Sequence, residues 1–208
     1  MAKSIATTLE SATNSTESIE IKLLVEAIFY AYGYDFREYT FASQMRRFED
    51  VKARYGFKSF SEMQHRILHD KEFFSELLSK LTITVTEFFR DPSLYLMIKE
   101  NLLDHLKTYP TIKIWHAGCA TGEEVYSFAI LLKEAGLYDN CIIYATDINP
   151  NAIEASKKGI YSLDKVKLGS QQYFEAGGKF SFAEYYDTGK NIAVMKDDLK
   201  KNIVFFRS

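Results

Sequence analysis

The sequence has few cysteines, no long apolar run and almost no net charge, and each of these features excludes a class of protein. Only Cys119 and Cys141 occur among the 208 residues; disulfide frameworks need more, and no Cys/His spacing resembles a zinc site. No apolar run reaches the roughly 20 residues that span a bilayer, and no secretory signal is evident. A net charge of −2 gives no global reason to expect nucleic-acid binding. We therefore expect a protein of the reducing cytosol with no metal site, no nucleic-acid partner and no direct membrane insertion.

The first part of the chain combines a polar leader with helical patterns. Residues 1–18 contain eight Ser or Thr and predict a disordered leader. Apolar residues then recur at helical spacing, and glycines or a Ser/Glu capping signal delimit the segments. We expect a small all-helical domain over residues 19–81. Its predicted helices cover 19–32, 41–55, a segment that starts after Ser59, and 71–81.

The rest of the chain alternates strand and helix signals, which is typical of an α/β domain. A linker, residues 82–92, leads to it, and alternation of Thr with Ile and Val predicts a strand there. We expect a helix over 150–158, an irregular passage from residue 160, and a small antiparallel insert at about 173–198. An i, i+4 stripe predicts one helix packed on the core: Leu94, Ile98, Leu102 and Leu106.

Three runs of β-forming residues are candidates for parallel strands: 112–115, 141–147 and 203–206. A complete doubly wound sheet usually has more strands than this. We therefore expect residues 93–208 to be the first part of a larger catalytic domain.

The stretch 112–147 has the length and order of a β–turn–α–β unit. Its turn holds Gly118, Ala120 and Gly122, small residues that let a ligand approach the backbone beside the free N–H groups of the next helix. Asp147 ends the second strand, where a carboxylate can accept both hydroxyls of a ribose. The spacing therefore predicts a nucleoside-containing ligand.

Two acids at the start of that helix argue against a pyrophosphate. Glu123 and Glu124 stand where a phosphate would lie and would repel it. A nucleoside with a positive charge and no phosphates fits better, and S-adenosylmethionine is such a molecule. The alternative for either acid is that it only complements the helix dipole.

Four segments together resemble the CheR family of chemotaxis receptor methyltransferases. They are residues 81–92, residues 115–127, residues 145–149 and Gly159-Ile160-Tyr161. The first contains the motif Thr86-Glu87-Phe88-Phe89-Arg90-Asp91, and the second contains the motif Gly122-Glu123-Glu124-Val125-Tyr126-Ser127. The resemblance runs from about residue 32 to the last residue, and the combination of the first two motifs is specific. It implies an α/β protein: a helical domain, a linker, and a Rossmann-like S-adenosylmethionine-dependent methyltransferase domain with a small antiparallel insert. It also implies methyl transfer to glutamate carboxylates on the cytoplasmic helices of methyl-accepting chemotaxis receptors, with S-adenosylhomocysteine as product.

By this resemblance the cofactor-binding positions fall on seven residues: Thr84, Thr86, Arg90, Gly118, Gly122, Glu123 and Asp147. The family commonly has Asn where this chain has Thr84, so a hydroxyl contact would replace an amide contact. In the family an Asn-Leu pair and an Arg-Asn pair beyond the last strand complete the cofactor site, and a Tyr lies near the acceptor. We expect this chain to lack all three.

No catalytic base is expected, because an acceptor glutamate with a reference pKa of about 4.3 is already ionised at neutral pH. The task of the enzyme is then in-line positioning and partial desolvation. Arg90 orients a carboxylate or holds the linker, or else it pairs with Glu87 or Asp91. His116 lies beside the loop, where packing fits better than catalysis.

A basic stretch in the second helix has two interpretations. Arg46, Arg47 and Arg54 form a solvated face paired with Glu49 and Asp50, or they dock acidic receptor helices.

Two other hypotheses for the function stay open. One is the same fold acting on RNA or a small molecule, and the weak net charge disfavours RNA. The other is a cofactor-binding or scaffold protein without turnover.

Overall fold

The computed structural model describes residues 15–81 and 86–207. It divides the chain into two compact units, with the boundary between Thr82 and Ile83. Within the described residues, no helix is both long enough and apolar enough to cross a membrane. Residues 1–14 of the predicted leader and residues 82–85 of the linker lie outside the described residues. The rest of the linker that was predicted as a strand, 86–91, is described and contains no strand.

The described residues of the first unit form four helices, and three of the predicted delimiting residues, Gly33, Gly56 and Ser59, lie at helix ends. They are α1 (Thr16–Tyr32), α2 (Phe41–Tyr55), α3 (Phe60–His69) and α4 (Lys71–Leu81). The side chain of Ser15 caps α1, so residues 16–18, predicted as leader, are helical. Gly33 and Gly56 end α1 and α2 in the left-handed conformation, which glycine adopts without steric cost.

The core of this unit lies mainly between α1 and α3. Its fully buried side chains include Ile21, Leu24 and Ile28 from α1, which pack with Met63 and Ile67 from α3. Burial of each such side chain contributes about 1.5–3 kcal/mol, so packing rather than helix propensity holds these short helices together.

The described residues of the second unit form a parallel sheet, an antiparallel sheet, two helices that precede the first strand and three helices between strands. The helices are α5 (Pro92–Asn101), α6 (Leu103–Leu106), α7 (Glu123–Glu134), α8 (Pro150–Lys158) and α9 (Leu163–Glu175). The strands are β1 (Ile112–Ala117), β2 (Cys141–Asp147), β3 (Ile160–Ser162), β4 (Tyr186–Thr188), β5 (Ile192–Met195) and β6 (Ile203–Arg207).

The three predicted parallel strands are confirmed, and they pair in the order β1-β2-β6. Ala117 stands opposite Thr146 in the register of β1 and β2, so the segments that follow these strands lie at the same edge of the sheet. Ligands of open α/β sheets bind outside the carboxyl ends of the strands. The topology therefore brings the loop at 118–122 and Asp147 together.

The two faces of this sheet differ in exposure. On one face the buried residues Ile143 and Ala145 pack with α7, which is itself buried almost all round. On the other face Trp115 is 68% exposed, and Val204 and Phe206 are also exposed.

The predicted antiparallel insert exists, but it begins earlier than residue 173. Its sheet has the order β3-β5-β4, so it includes Ile160–Ser162, and α9 occupies most of the passage predicted to be irregular. The helix was missed because its buried positions, Val166, Gly169 and Tyr173, include a glycine, which a sequence pattern treats as a break. Within the predicted insert, Phe182–Tyr185 forms a 3₁₀ turn rather than a strand.

The predicted leucine stripe is wrong in part. Ile98 is buried, but Leu94 and Leu102 are exposed. The helix is interrupted at Leu102, and an interruption changes which side chains face the core. Tyr95 and Leu103 fill the core positions instead.

Candidate functional site

A loop of unusual backbone conformation joins β1 to α7. Gly118, Ala120 and Gly122 have φ angles of 76°, 48° and 91°. The amides of Gly118 and Cys119 both donate to the carbonyl oxygen of Thr146 at 2.8 Å. The loop is therefore fastened to the end of β2, and a positive φ at Ala120 is a strained conformation that such contacts maintain.

The two glycines of the loop have different surroundings. A Cβ atom on Gly122 would lie 2.5 Å from the Cβ of Ser156 in α8, whereas a Cβ on Gly118 would meet no atom within 4 Å. Gly122 is thus required for packing of the loop against α8. Gly118 borders open space, and this is the position where the sequence predicts close approach of a ligand.

Asp147 fixes the loop from the end of β2. One carboxylate oxygen accepts the amide of Ala120 and the other accepts the amide of Asn149, each at 2.8 Å. The residue is 7% exposed. Each carboxylate oxygen can accept a second hydrogen bond, so this arrangement is compatible with the predicted contact to ribose hydroxyls.

Glu123, predicted to contact the cofactor, has no exposed surface. One of its oxygens binds the ammonium group of Lys165, and the other accepts the hydroxyl of Thr121 at 2.6 Å. Successive helical side chains point about 100° apart, so only one of the two adjacent acids can face the open side of the loop. The structure does not present Glu123 to a ligand.

Glu124 is the exposed acid at the start of α7. Its side chain is 52% exposed and lies 3.0 Å from Nδ1 of His116. The hydrogen bond to His116 lowers the pKa of Glu124, and the charge of Arg90 acts in the same direction, while burial opposes both. His116 is buried, as expected, and it serves to hold the Glu124 carboxylate.

Two phenylalanines anchor the linker motif, by which we mean residues 86–91. Phe88 and Phe89 are buried in the core of the second unit, and the amide of Phe89 donates to the hydroxyl of Ser127 at 2.9 Å. In the same motif, Thr86 is half-buried and Arg90 is exposed. Thr84 lies outside the described residues. Arg90 is thus carried close enough to α7 for its charge to act on Glu124.

Neither cysteine is a reactive thiol. Burial raises the pKa of Cys119 to about 12 and that of Cys141 to about 11, so both are protonated at neutral pH. The thiolate is the nucleophilic form. Cys119 therefore contributes packing to the loop rather than covalent chemistry.

Two residues of the antiparallel region, by which we mean strands β3 to β5 together with helix α9, contact the loop although the sequence did not predict these contacts. The hydroxyl of Tyr161 donates to the carbonyl of Thr121 at 2.7 Å, and Lys165 binds Glu123. Tyr161 belongs to a motif that the resemblance includes, so the sequence marked its position but not its contact. Lys165 carries no local signal, because its partner is 42 positions away.

The predicted docking arginines belong to the first unit and differ in their environments. Arg46 and Arg54 are exposed. Arg47 is half-buried; it donates to the carbonyl of Leu81 at 2.5 Å, and its guanidinium lies 5.0 Å from the ring centroid of Tyr39. Arg47 therefore has a structural role at the end of α4 that the sequence did not indicate.

Comparison with protein families identifies both parts of the chain. The family model described as the CheR methyltransferase, SAM binding domain matches residues 84–207, so the second unit is an S-adenosylmethionine-binding domain. The CheR methyltransferase, all-alpha domain matches residues 19–82. The chain belongs to the CheR methyltransferase family.

Individual relatives agree with this assignment. A Pseudomonas putida protein named as a methyltransferase, Cher3, is 47% identical over 187 residues, which are 90% of this chain and 68% of that protein. Chemotaxis protein methyltransferases of Listeria monocytogenes and Borreliella burgdorferi are 25% and 26% identical over 80% and 71% of this chain. The chain spans 66% and 56% of the length of those two proteins.

Proposed function

We propose that this protein transfers a methyl group to glutamate side-chain carboxylates of chemoreceptors and forms glutamyl methyl esters. The observation that carries the proposal is the joint geometry of the 118–122 loop and Asp147 within a CheR-type SAM-binding domain. Support for the chemotaxis context comes from relatives that are named chemotaxis protein methyltransferases.

The residues of the site fit S-adenosylmethionine, which supplies a methyl group activated by a positively charged sulfur. Gly118 leaves open space beside the loop, and Asp147 keeps unused acceptor capacity for a ribose. Glu124 offers a half-exposed negative charge near the loop, which favours a cationic nucleoside over a nucleotide. We assign to Glu124 the role that the resemblance implied for Glu123, and we keep Thr86 and Arg90 as further candidates for cofactor contact.

The acceptor carboxylate needs no deprotonation, since its reference pKa is about 4.3. Accordingly, the proposed mechanism assigns no general base: His116 is occupied with Glu124, and Cys119 remains protonated. The residues of the site bind, orient and shield the reacting groups.

The proposed partner is the acidic helical region of a receptor in the cytoplasm. Arg46 and Arg54 are the exposed cations of α2 that could meet it, and steering by such charges depends on ionic strength. Asp50 lies between them on the helix and weakens the local positive field, so we propose a contribution to association rate rather than a strong contact.

Calorimetric titration with S-adenosylhomocysteine tests the cofactor site. We expect micromolar binding by the natural sequence, about tenfold weaker binding by Glu124→Gln, and about tenfold weaker binding of a 2′-deoxy analogue of the ligand, each equal to about 1.4 kcal/mol. The deoxy analogue isolates the ribose contact, because Asp147 also fixes the loop and its substitution would disturb both roles. Equal affinity for S-adenosylhomocysteine and its 2′-deoxy analogue would contradict the proposed contact between Asp147 and the ribose hydroxyls.

Transfer is tested with isotopically labelled S-adenosylmethionine and receptor-containing membranes. We expect base-labile label in the receptor, as an ester requires, and none in a receptor whose acceptor glutamates are replaced by glutamine. Binding of S-adenosylhomocysteine without any transfer would instead support the alternative of a cofactor-binding or scaffold protein. Base-stable label would indicate another acceptor group.

A further inference from the structure

The first turn of α7 contains an ion pair that the proposed chemistry does not use. Glu123 has no exposed surface, and its carboxylate binds the ammonium of Lys165, which comes from the first turn of α9. The Lys165 side chain is 45% exposed. The pair therefore joins the first turn of α7 to the first turn of α9, which belongs to the antiparallel region.

Further contacts join the same two regions. The hydroxyl of Tyr161 in β3 donates to the carbonyl of Thr121 at 2.7 Å. In addition, Gly122 lies against Ser156 of α8, and the hydroxyl of Tyr126 donates to the carbonyl of Ser156 at 2.7 Å. Residues 121–126 are thus held by α8, β3 and α9, whereas Gly118 borders open space.

Charge makes Lys165 the critical member of this set. A carboxylate removed from water is stable only with a cation and hydrogen bonds to replace its hydration. Glu123 has one hydrogen bond from Thr121 and a favourable helix N-terminus, and Lys165 supplies the cation. Without Lys165, water can reach the charged Glu123 carboxylate only if the first turn of α7 or the loop moves.

We propose that Lys165 is a positioning residue for cofactor binding: by neutralising the buried Glu123 it holds the 118–122 loop and the start of α7 in their binding conformation. The inference rests on the proposed function for its ligand, and it assigns to the antiparallel region a role in forming the cofactor site. It also explains why adjacent glutamates in one motif are both present, one for the fold of the loop and one for the charge beside it.

Second-site rescue tests whether Lys165 acts through Glu123. In calorimetry with S-adenosylhomocysteine we expect Lys165→Met to bind about tenfold more weakly or worse, and Lys165→Arg to stay within about threefold of the natural protein. The double variant Lys165→Met/Glu123→Gln should recover most of the affinity, because no uncompensated charge remains. Lys167→Met, an exposed lysine on the same helix, is the matched control and should bind normally.

Hydrogen exchange of the ligand-free protein gives a readout that does not depend on cofactor binding. We expect amides of residues 118–126 to exchange at least about fivefold faster in Lys165→Met, and at the normal rate in Lys165→Arg and in the double variant. Should Lys165→Met fail to fold by circular dichroism, recovery of a folded protein in the double variant tests the same charge argument.

The two measurements separate the proposals. If the natural protein does not bind S-adenosylhomocysteine, the proposed function loses its support, and the exchange data alone decide whether Lys165 holds the loop. If the natural protein binds and Lys165→Met shows unchanged affinity and unchanged exchange, the positioning role is overturned. Loss of affinity that Glu123→Gln does not rescue would also overturn it.

Discussion

At the scale of single residues, Glu123 and Glu124 differ in environment although they are adjacent. Glu123 is fully buried and bound to Lys165, while Glu124 is half-exposed and bound to His116. The first contributes to the fold of the loop and the second sets the charge at its open side. Substitutions at the two positions should therefore be distinguishable: Glu123→Gln with Lys165 still present changes loop dynamics, whereas Glu124→Gln changes ligand affinity.

The pair of Glu124 and His116 predicts a pH dependence of stability. The pKa of Glu124 is lowered in the folded protein, chiefly by its hydrogen bond to His116. The resulting stabilisation is therefore present above the unfolded value of about 4.3, and it is lost as the pH falls through the lower folded value. We expect Glu124→Gln to reduce the free energy of unfolding by at most about 1 kcal/mol at pH 7, because a half-exposed pair is screened.

Urea unfolding at pH 7 and below pH 4 checks this expectation. The difference between the natural protein and Glu124→Gln should shrink in acid. Glu154→Gln removes an exposed acid that pairs with Lys157 on α8 and serves as the control. A difference that grows in acid would contradict the direction of the pKa shift.

Asp147 is expected to stabilise the loop independently of any ligand. Its two oxygens accept the amides of Ala120 and Asn149, and an asparagine at this position can accept only one of them. We expect Asp147→Asn to lower the free energy of unfolding by about 1–3 kcal/mol, the cost of an unpaired buried donor. Trp115 is the only tryptophan of the chain and bonds to Thr146 at 3.0 Å, so its fluorescence reports unfolding of this region.

The matched control for that measurement is Asp139→Asn. Asp139 is exposed and pairs with Lys201 at 2.7 Å, and such surface pairs contribute at most about 1 kcal/mol. Equal effects of the two substitutions would mean that the Asp147 contacts do not stabilise the loop.

At the scale of elements, the two loop glycines predict different costs of substitution. Alanine at either position has an unfavourable left-handed conformation, which costs about 1–2 kcal/mol. At Gly122 the new methyl group would also overlap the Cβ of Ser156, at 2.5 Å, and overpacking adds about 1–3 kcal/mol. In fluorescence-monitored urea unfolding, Gly122→Ala should therefore be clearly less stable than Gly118→Ala. The reverse order would mean that α8 does not pack against the loop as described.

Gly169 in α9 predicts an exception to the usual helix rule. Replacement of a helical glycine by alanine normally stabilises by about 0.5–1 kcal/mol. Here a Cβ would lie 2.8 Å from the Cβ of Phe88 and 3.2 Å from the ring of Phe182. We expect Gly169→Ala to destabilise by about 1 kcal/mol or more, and to weaken S-adenosylhomocysteine binding because Phe88 anchors the linker motif.

Gln171→Ala, at an exposed position of α9, controls for helix propensity and should stay within about 0.5 kcal/mol of the natural protein. The two variants are compared by urea unfolding and by calorimetry. A gain of stability in Gly169→Ala would show that α9 and the linker motif do not approach each other closely.

Elements with local signals were predictable from the sequence. Glycines at 33, 56 and 159 end helices in the left-handed conformation, and β2 has the predicted limits, because caps and apolar runs are encoded by neighbouring residues. The helix α9 was not predictable, since its core face includes Gly169. At Leu102 the predicted stripe failed because the helix is interrupted there without a proline or glycine to mark it.

The candidate site was predictable only where its residues belong to one local unit. The spacing of Gly118, Gly122 and Asp147 indicates a nucleoside site, and the structure brings these residues together. Lys165 and Ser127 were missed because their contacts join segments that are distant in the sequence. The sequence also could not distinguish Glu123 from Glu124, since burial of one acid depends on the position of α9.

At the scale of the whole molecule, the chain consists of two units, and the candidate cofactor residues with described positions all belong to the second. Arg46 and Arg54, which we propose to contact the receptor, belong to the first. Cofactor binding and receptor association are therefore separable in principle: exposed arginine variants should change association and its salt dependence, while affinity for S-adenosylhomocysteine stays the same.

The last prediction concerns which segments of the molecule a bound ligand protects from hydrogen exchange. A ligand held by the 118–122 loop and Asp147 stabilises the folded second unit by about 2.7 kcal/mol at 100 times its Kd. With saturating S-adenosylhomocysteine, hydrogen exchange should slow at residues 116–126 and 144–150, and helices α1 to α4 should exchange at unchanged rates. Adenosine diphosphate is the control: it presents the same nucleoside, but Glu124 repels its phosphates, so it should protect neither segment. Protection by both ligands would mean that the site reads only adenosine, and protection within α1 to α4 would mean that the first unit also takes part in binding.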